Sequence, residues 1–492
     1  MAVLASAAAV AAGCGGDSGS GGALESTLAY LPKDTPFAVA IDTDLEGDQY
    51  RSLDAAVGKF PGGDAIKDSL RQQLEEGTDG ISFEDDLRPL LGNPFVVGAT
   101  SVSSFLGSSE NDDFVAAMQV EDIDALDRLV EKTKPEEHGE VSGATVYEDD
   151  GTFFAVEDDV VVLAGSQQQL ESALERADGS DHLEEDTFES SLDGLPEEAL
   201  ARVYVDLQSL IGQDPDAAAA RKIEWVAALR TLGLTASVDD DSIDVEFNAR
   251  TDGDDLSDED LPLAAGDVSP GVVQLPGEIA LGVRDPSQIV SFFETAFQAV
   301  DPSGFGDYQQ GKQALAGQLD LDVDRDLIEQ LTGDLSISVA VDGAFSARAE
   351  LEDADAFART VDRLAEALPR LGAGLGVADV SRRGDLYEAR MSDGRRFVFG
   401  VTDGVLVVAS ELARAREIAS QQPSEIDGAR GSLVLGADAE QLAAQVIERV
   451  GPGFGLPEGF PGGLFARPLD DLEGSVSSST DGMKGKLSLT LD

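Results

Sequence analysis

The chain has 492 residues, of which 42% are hydrophobic, so it is long enough for more than one domain and can bury large cores. Its 96 acidic and 34 basic residues give a formal net charge of -62 at pH 7. This charge excludes a nucleic-acid partner, because phosphate contacts require clustered cations, and the repulsion among the acids predicts a folded state that salt stabilises.

Residues 1–14 are predicted to be a lipoprotein signal peptide. Ala2–Ala12 is almost wholly apolar but shorter than the roughly 20 residues that cross a bilayer. Val10-Ala11-Ala12-Gly13 before Cys14 has the form of a bacterial lipobox, in which the thiol receives the lipid. Cys14 is the single cysteine, so it has no disulfide partner in the chain. No Lys or Arg precedes the apolar run, and an Ala-rich leader with an incidental cysteine stays open as the alternative.

A Gly/Ser-rich tether at 15–23 is predicted to follow, with a reach of about 15–20 Å. Two similar halves come next, at 24–250 and 265–492, separated by an acidic linker at 251–264. We expect each half to be one α+β domain of an internal duplication.

The duplication is visible in a strand followed by a helix. Phe114–Val130 aligns without a gap with Phe345–Val361, and in both copies a Glu-Asp pair stands where the helix begins. Acids at this place favour the positive end of the helix dipole, so they are interpreted as caps and not as ligands.

Further matches predict β-hairpins. Phe154–Ala164 and Phe399–Ala409 are β-branched runs that turn through Asp158-Asp159 and Asp403-Gly404. Strands that occur mostly as hairpins, with amphipathic helices between them, favour antiparallel sheets. The predicted fold class is therefore α+β, with two tandem homologous domains, each a mainly antiparallel β-sheet covered by helices in a two-layer sandwich.

One acidic segment follows the first predicted strand and begins like a calcium-binding loop. Asp42, Asp44 and Glu46 alternate ahead of Gly47, but the twelfth position is Leu53 and not a bidentate glutamate. These three acids are weak candidates for cation binding. The acids of the linker form a second and weaker candidate site.

No motif predicts catalysis or a cofactor. Gly306–Lys312 matches a phosphate-binding loop up to Gln313, which replaces the magnesium-binding Ser or Thr. The alternating aspartates of 320–326 are interpreted as a solvated approach to a helix. His138 and His182 lie in polar segments, where a solvated imidazole is the default, and no Gly-x-Ser-x-Gly elbow occurs.

Trp225 is assigned to the apolar face of a helix over residues 217–232.

Several segments together resemble one family. They are the lipobox leader, Leu31-Pro-Lys-Asp-Thr-Pro-Phe-Ala-Val39, Glu46-Gly-Asp-Gln-Tyr50, Ser82–Gly92 and the duplicated strand-helix units. They are similar to an actinobacterial branch of domain-of-unknown-function family 3352 (DUF3352). The resemblance implies a location and an architecture, and it brings no catalytic residue with it.

The sequence thus predicts an extracytoplasmic lipoprotein, anchored to the cell membrane by a lipid on Cys14, that acts as a non-catalytic interaction or scaffolding module with a protein partner in the cell envelope. The alternative is a protein that binds a small molecule or a weakly held divalent cation in a cleft between the halves. A third hypothesis is an extracytoplasmic hydrolase that depends on His138 or His182.

Overall fold

The computed structural model describes residues 21–65, 67, 72, 81–102, 113–149, 151–214, 216–371, 376–450 and 462–492. Cys14, the rest of the predicted signal peptide and the tether up to residue 20 lie outside these ranges. Over the described residues, no helix is both long enough and apolar enough to span a bilayer.

The chain divides into two compact units. Unit 1 takes in the described residues up to 218, together with 229–250 and 490–492. Unit 2 takes in 219–228 and the described residues between 251 and 489. The predicted domain limits at 250 and 265 stay predictions.

Unit 1 is built on an antiparallel ladder. Its strands are β1 Phe37–Ile41, β2 Phe95–Ala99, β3 Phe114–Gln119, β4 Glu136–Val141, β5 Ala144–Asp149, β6 Thr152–Glu157, β7 Val160–Ala164, β8 Ala201–Asp206, β9 Leu229–Val238 and β10 Ser242–Thr251. They pair in the order β10-β9-β8-β1-β2-β3-β7-β6-β5-β4, and every register from β9 to β4 is antiparallel. The hairpin predicted between β6 and β7 is confirmed.

Helices of unit 1 connect these strands. They are α1 Gly21–Leu28, α2 Asp48–Lys59, α3 Ile123–Thr133, α4 Gln167–Ala177, α5 Glu185–Ser191 and α6 Leu207–Gln213. Short π-helical and 3-10 turns at Phe83–Leu87 and Arg88–Leu90 precede β2.

The sheet of unit 1 is buried on both faces. Ala116 and Met118 of β3 belong to one core with α3, and Val115 and Ala117 belong to a second core with α1, α4 and α5. Because successive strand residues point to opposite faces, a strand buried on both sides needs an unbroken apolar run. The predicted α+β class, with an antiparallel sheet covered by helices, is confirmed; the two-layer detail is too simple for this unit.

Unit 2 repeats the pairing order. Its strands are β11 Glu278–Val283, β12 Leu335–Ala340, β13 Phe345–Glu350, β14 Val377–Arg383, β15 Leu386–Met391, β16 Arg396–Thr402, β17 Val405–Ala409, β18 Leu433–Asp438, β19 Leu469–Ser479 and β20 Gly482–Leu491, whose last residues belong to unit 1. They pair in the order β20-β19-β18-β11-β12-β13-β17-β16-β15-β14. The predicted hairpin of β16 and β17 is confirmed.

The helices of unit 2 are α7 Glu224–Ala228, α8 Pro286–Val300, α9 Pro302–Leu319, α10 Ala354–Leu371, α11 Leu412–Ser420, α12 Ala439–Val450 and α13 Gly462–Ala466. A helix predicted over 217–232 is wrong in its extent: 3-10 turns at Asp216–Ala218 and Ala220–Lys222 precede α7, and β9 begins at Leu229. Tertiary pairing of β9 with β8 overrides the helical pattern there.

Helix capping recurs in both units. The Ala125 N–H donates to the Asp122 carboxylate at 3.0 Å at the start of α3, and the Ala356 N–H donates to Asp353 at 2.9 Å in α10. These bonds satisfy backbone donors that a helix start leaves free. The interpretation of these acids as caps is confirmed, while the origin of the two halves by duplication stays a prediction.

Leu126→Ala is expected to lower the free energy of unfolding by about 2–5 kcal/mol, because truncation of a fully buried leucine leaves a cavity. Asp127→Ala, at the exposed next position of α3, is the matched control and should change stability by less than about 0.5 kcal/mol. Denaturant unfolding followed by circular dichroism measures both. Equal stability of the two variants would contradict the assigned core.

Candidate functional site

The loop after β1 holds the three predicted cation ligands. The Asp44 N–H donates to Asp42 Oδ1 at 2.8 Å, and the Glu46 N–H donates to Asp44 Oδ1 at 3.4 Å. Glu46 also lies 3.4 Å from the Arg88 guanidinium. Asp42 and Asp44 therefore accept backbone hydrogen bonds in the turns that lead toward α2.

Asp42 is partly buried at the end of β1. Burial raises the pKa of Asp42 above its ordinary value, while the N–H of Asp44 and the charge of Arg202 act in the opposite direction. The Tyr50 hydroxyl donates to the Asp42 carbonyl, which ties α2 to the end of β1. Weak cation binding by Asp42, Asp44 and Glu46 stays a prediction.

An open cavity of about 460 Å³ lies in unit 2, between the second half of α9 and the acidic turn that follows it. Its walls come from two separate sequence motifs, the end of the loop-like segment Gly306–Lys312 and the aspartates of 320–324. Gly306–Lys312 is helical, since it lies inside α9. The structure thus joins two segments that the sequence treats as unrelated.

Lys312 is the central charge of this cavity. Its side chain is only 9% exposed, and its Nζ lies 2.8 Å from Glu294 Oε1 and 2.5 Å from Asp324 Oδ1. The Tyr308 hydroxyl donates to the same Glu294 oxygen at 2.6 Å. We call these four side chains the lysine cluster.

Two members of the lysine cluster, Lys312 and Glu294, keep their charges fixed at neutral pH. Burial alone would lower the pKa of Lys312, but hydrogen bonds with Asp324 and Glu294 raise it above its ordinary value. Burial would likewise raise the pKa of Glu294, but hydrogen bonds from Lys312 and Tyr308 bring it below its ordinary value. A group whose pKa lies far from neutrality is poorly suited to proton transfer at neutral pH, so the cavity offers fixed charges for binding a polar molecule.

The two histidines lie on different elements of unit 1. His138 is in β4, with its Nε2 3.3 Å from Glu148 Oε2. His182 forms an isolated bridge with Pro32, and its Nδ1 is buried without a hydrogen-bond partner. The hydrolase hypothesis stays a prediction.

Sequence reasoning missed one group of side chains. Among the described residues, Glu136, His138 and Glu148 form the group of three acidic or histidine side chains whose ligand atoms all lie within 4.8 Å of one another. The Ser142-Gly143 turn signals that β4 folds back onto β5, but it does not reveal the bulge that brings Glu136 opposite Glu148.

Asp42→Asn is expected to stabilise the protein more at neutral pH than below about pH 3.9, the ordinary pKa of aspartate. Because the pKa of Asp42 is higher in the folded state than in the unfolded state, ionisation of this carboxyl lowers the free energy of unfolding. This loss of stability is absent below the unfolded-state pKa and complete above the raised folded-state pKa. Thermal unfolding across this range measures the difference. Asp127→Asn removes one exposed charge as the control, and an equal pH dependence in both variants would contradict the assignment.

Comparison with known proteins gives a family and distant structural likenesses. No curated protein matches the sequence. Crystal form III of TP0453 is 9% identical, with a TM-score of 0.27 over 47% of this chain and 82% of that chain. Crystal form I is 10% identical, with a TM-score of 0.26 over 46% of this chain and 78% of that chain.

A family model described as "Protein of unknown function (DUF3352)" matches residues 1–371. The actinobacterial branch stays an expectation. Because the match covers 371 of the 492 residues, the chain belongs to the DUF3352 family.

Proposed function

We propose that the protein is a lipid-anchored component of the cell envelope, held at the extracytoplasmic face of the membrane through Cys14, and that it acts as a non-catalytic interaction or scaffolding module. The observation that carries this proposal is the sequence Val10-Ala11-Ala12-Gly13-Cys14, followed by the Gly/Ser-rich tether. Two or three acyl chains on one residue hold a protein far more firmly than a single chain does.

The net charge of -62 supports a covalent anchor over an electrostatic one. Anionic headgroups attract basic segments and repel an acidic surface. A lipid on Cys14 would hold the folded part near the membrane in spite of this repulsion, at a distance that the tether sets.

An apolar stripe on α8 supports a protein partner. Phe293 and Val300 are 59% and 51% exposed. Phe297 lies between them at helical spacing, half-buried against the rings of Phe305 and Tyr308. Exposed apolar patches rimmed by polar groups are typical of protein interaction sites. We assign this stripe to an envelope protein, because an anionic lipid surface would repel so acidic a chain.

Cys14→Ala is expected to release the protein from the membrane fraction, because the substitution removes the sulfur that carries the lipid. Cell fractionation with mass spectrometry of the N-terminal peptide measures both location and lipid. Ser18→Ala, in the tether, is the matched control and should stay with the membrane. Membrane association of Cys14→Ala, together with an unlipidated Cys14 in the parent protein, would contradict the proposal.

A second candidate function is binding of a small polar molecule or a divalent cation. The cavity beside the lysine cluster favours the first, since a buried ammonium with fixed partners and the amides of Gln309 and Gln313 line it. The sequence predicted a site for a small molecule in a cleft between the two halves. The cavity belongs to unit 2 alone, so the binding of a small molecule here does not depend on how the units are arranged.

A further inference from the structure

The hairpin of β4 and β5 brings acidic and imidazole groups to one place. A turn at Ser142-Gly143, with both residues at positive φ, sets the register from Val141 opposite Ala144. A bulge between Glu137 and Gly139 then shifts this register by one residue. As a result, Glu136 lies directly opposite Glu148, and His138 occupies the bulge.

Two glutamates directly opposite each other in an antiparallel pair repel, which destabilises the pairing of their strands. The glutamate in the corresponding hairpin of unit 2 has different neighbours. There Ser381 lies opposite Glu388, and Arg383 and Arg396 lie 2.9 and 3.6 Å from that glutamate. In unit 1 the groups gathered around the glutamate are a second carboxylate and an imidazole, which are ligands for a metal ion.

The distances fit a metal ion held between these groups. Zinc binds imidazole nitrogen at about 2.0–2.1 Å and carboxylate oxygen at about 2.0–2.2 Å, so two ligands of a tetrahedral site lie about 3.3–3.5 Å apart. The separation of His138 Nε2 and Glu148 Oε2 is 3.3 Å. All three ligand atoms lie within 4.8 Å of one another, and Glu136 is exposed, so its side chain is free to close on an ion.

Neighbouring groups outside the three ligands orient two of them. The Gly151 N–H donates to Glu148 Oε1 at 3.0 Å, and the other oxygen of Glu148 is the one next to His138. The ring of Phe153 meets the His138 imidazole edge to face, with 5.6 Å between centroids. Outer contacts of this kind are what fix the ligands of metal sites in proteins.

We propose that Glu136, His138 and Glu148 bind one divalent transition-metal ion of the zinc class. An imidazole with two carboxylates suits zinc and its neighbours in the first transition row, whereas calcium and magnesium take oxygen ligands. Three protein ligands leave a coordination position for water or for a group from a partner. The ion replaces the repulsion between Glu136 and Glu148 by a bridge that fastens β4, the last strand in the pairing order of unit 1, to β5. The site is independent of the function proposed above.

The test is a zinc titration of the full-length protein in detergent, in competition with a chromophoric chelator. High salt and excess magnesium suppress loose binding to the acidic surface. We expect one equivalent of tightly bound zinc. His138→Asn and Glu148→Gln should each weaken binding at least about 100-fold, above the 10–100-fold that loss of an outer contact costs.

Two matched controls separate this site from the general acidity of the chain. Glu137→Gln changes the next residue of β4, and His182→Asn changes the other histidine; both should bind zinc like the parent protein. Cobalt in place of zinc should give a visible absorption spectrum that His138→Asn loses. Circular dichroism checks that each variant is folded. If one of the two ligand variants does not fold, the other still tests the site.

Zinc affinity that is equal in the parent protein and in both ligand variants would overturn the assignment. So would the absence of a one-equivalent site in the parent protein. A cobalt spectrum unchanged in a folded His138→Asn would also overturn it.

Discussion

The constraint on which unit 1 depends is the burial of β3 and β7 on both faces of the sheet. All five residues of β7 are buried, and alternate residues of β3 enter two different cores. A slip of one residue in either strand would exchange the two sets of side chains, so their register is strongly specified. Helices must cover both faces as a consequence.

The rest of the unit is arranged outward from this pair. On one side β2, β1, β8, β9 and β10 extend the ladder, and the loop of Asp42 follows β1. On the other side β6, β5 and β4 extend it and end at the hairpin of Glu136 and Glu148. The capped helix α3 covers the face that includes Met118. The Glu136–Glu148 hairpin thus lies at the edge of the ladder, whereas the Asp42 loop follows a strand that is paired on both sides.

Turn and cap chemistry made much of the fold predictable. Asp158 and Asp403 adopt φ of 52° in the two hairpin turns, a conformation that aspartate tolerates better than most residues, and the turn pairs were readable from the sequence. The caps at Asp122 and Asp353 followed from the position of acids before an apolar helical pattern. These signals depend only on neighbouring residues, so they can be recognised without knowledge of the tertiary structure.

Features that depend on distant partners were not predictable in the same way. Counting back from Ser142-Gly143 without a bulge would place Glu137 opposite Glu148, and only the bulge brings Glu136 there. Leu229 enters a strand because β8 is available to pair with it. Lys312 and Asp324 belong to two sequence segments, neither of which predicts a binding site by itself. The turn after α9 brings these two residues into one ion pair.

The proposed role combines an anchor at Cys14, a short tether and a strongly acidic folded part with an apolar stripe at Phe293. The measurement that tests this account most directly is crosslinking in intact cells, followed by mass spectrometry of what the tagged lipoprotein captures. The account predicts one reproducible envelope protein, joined through peptides that include α8 and absent when Cys14→Ala is used. Capture of no protein, or of the same proteins by the unanchored variant, would contradict it.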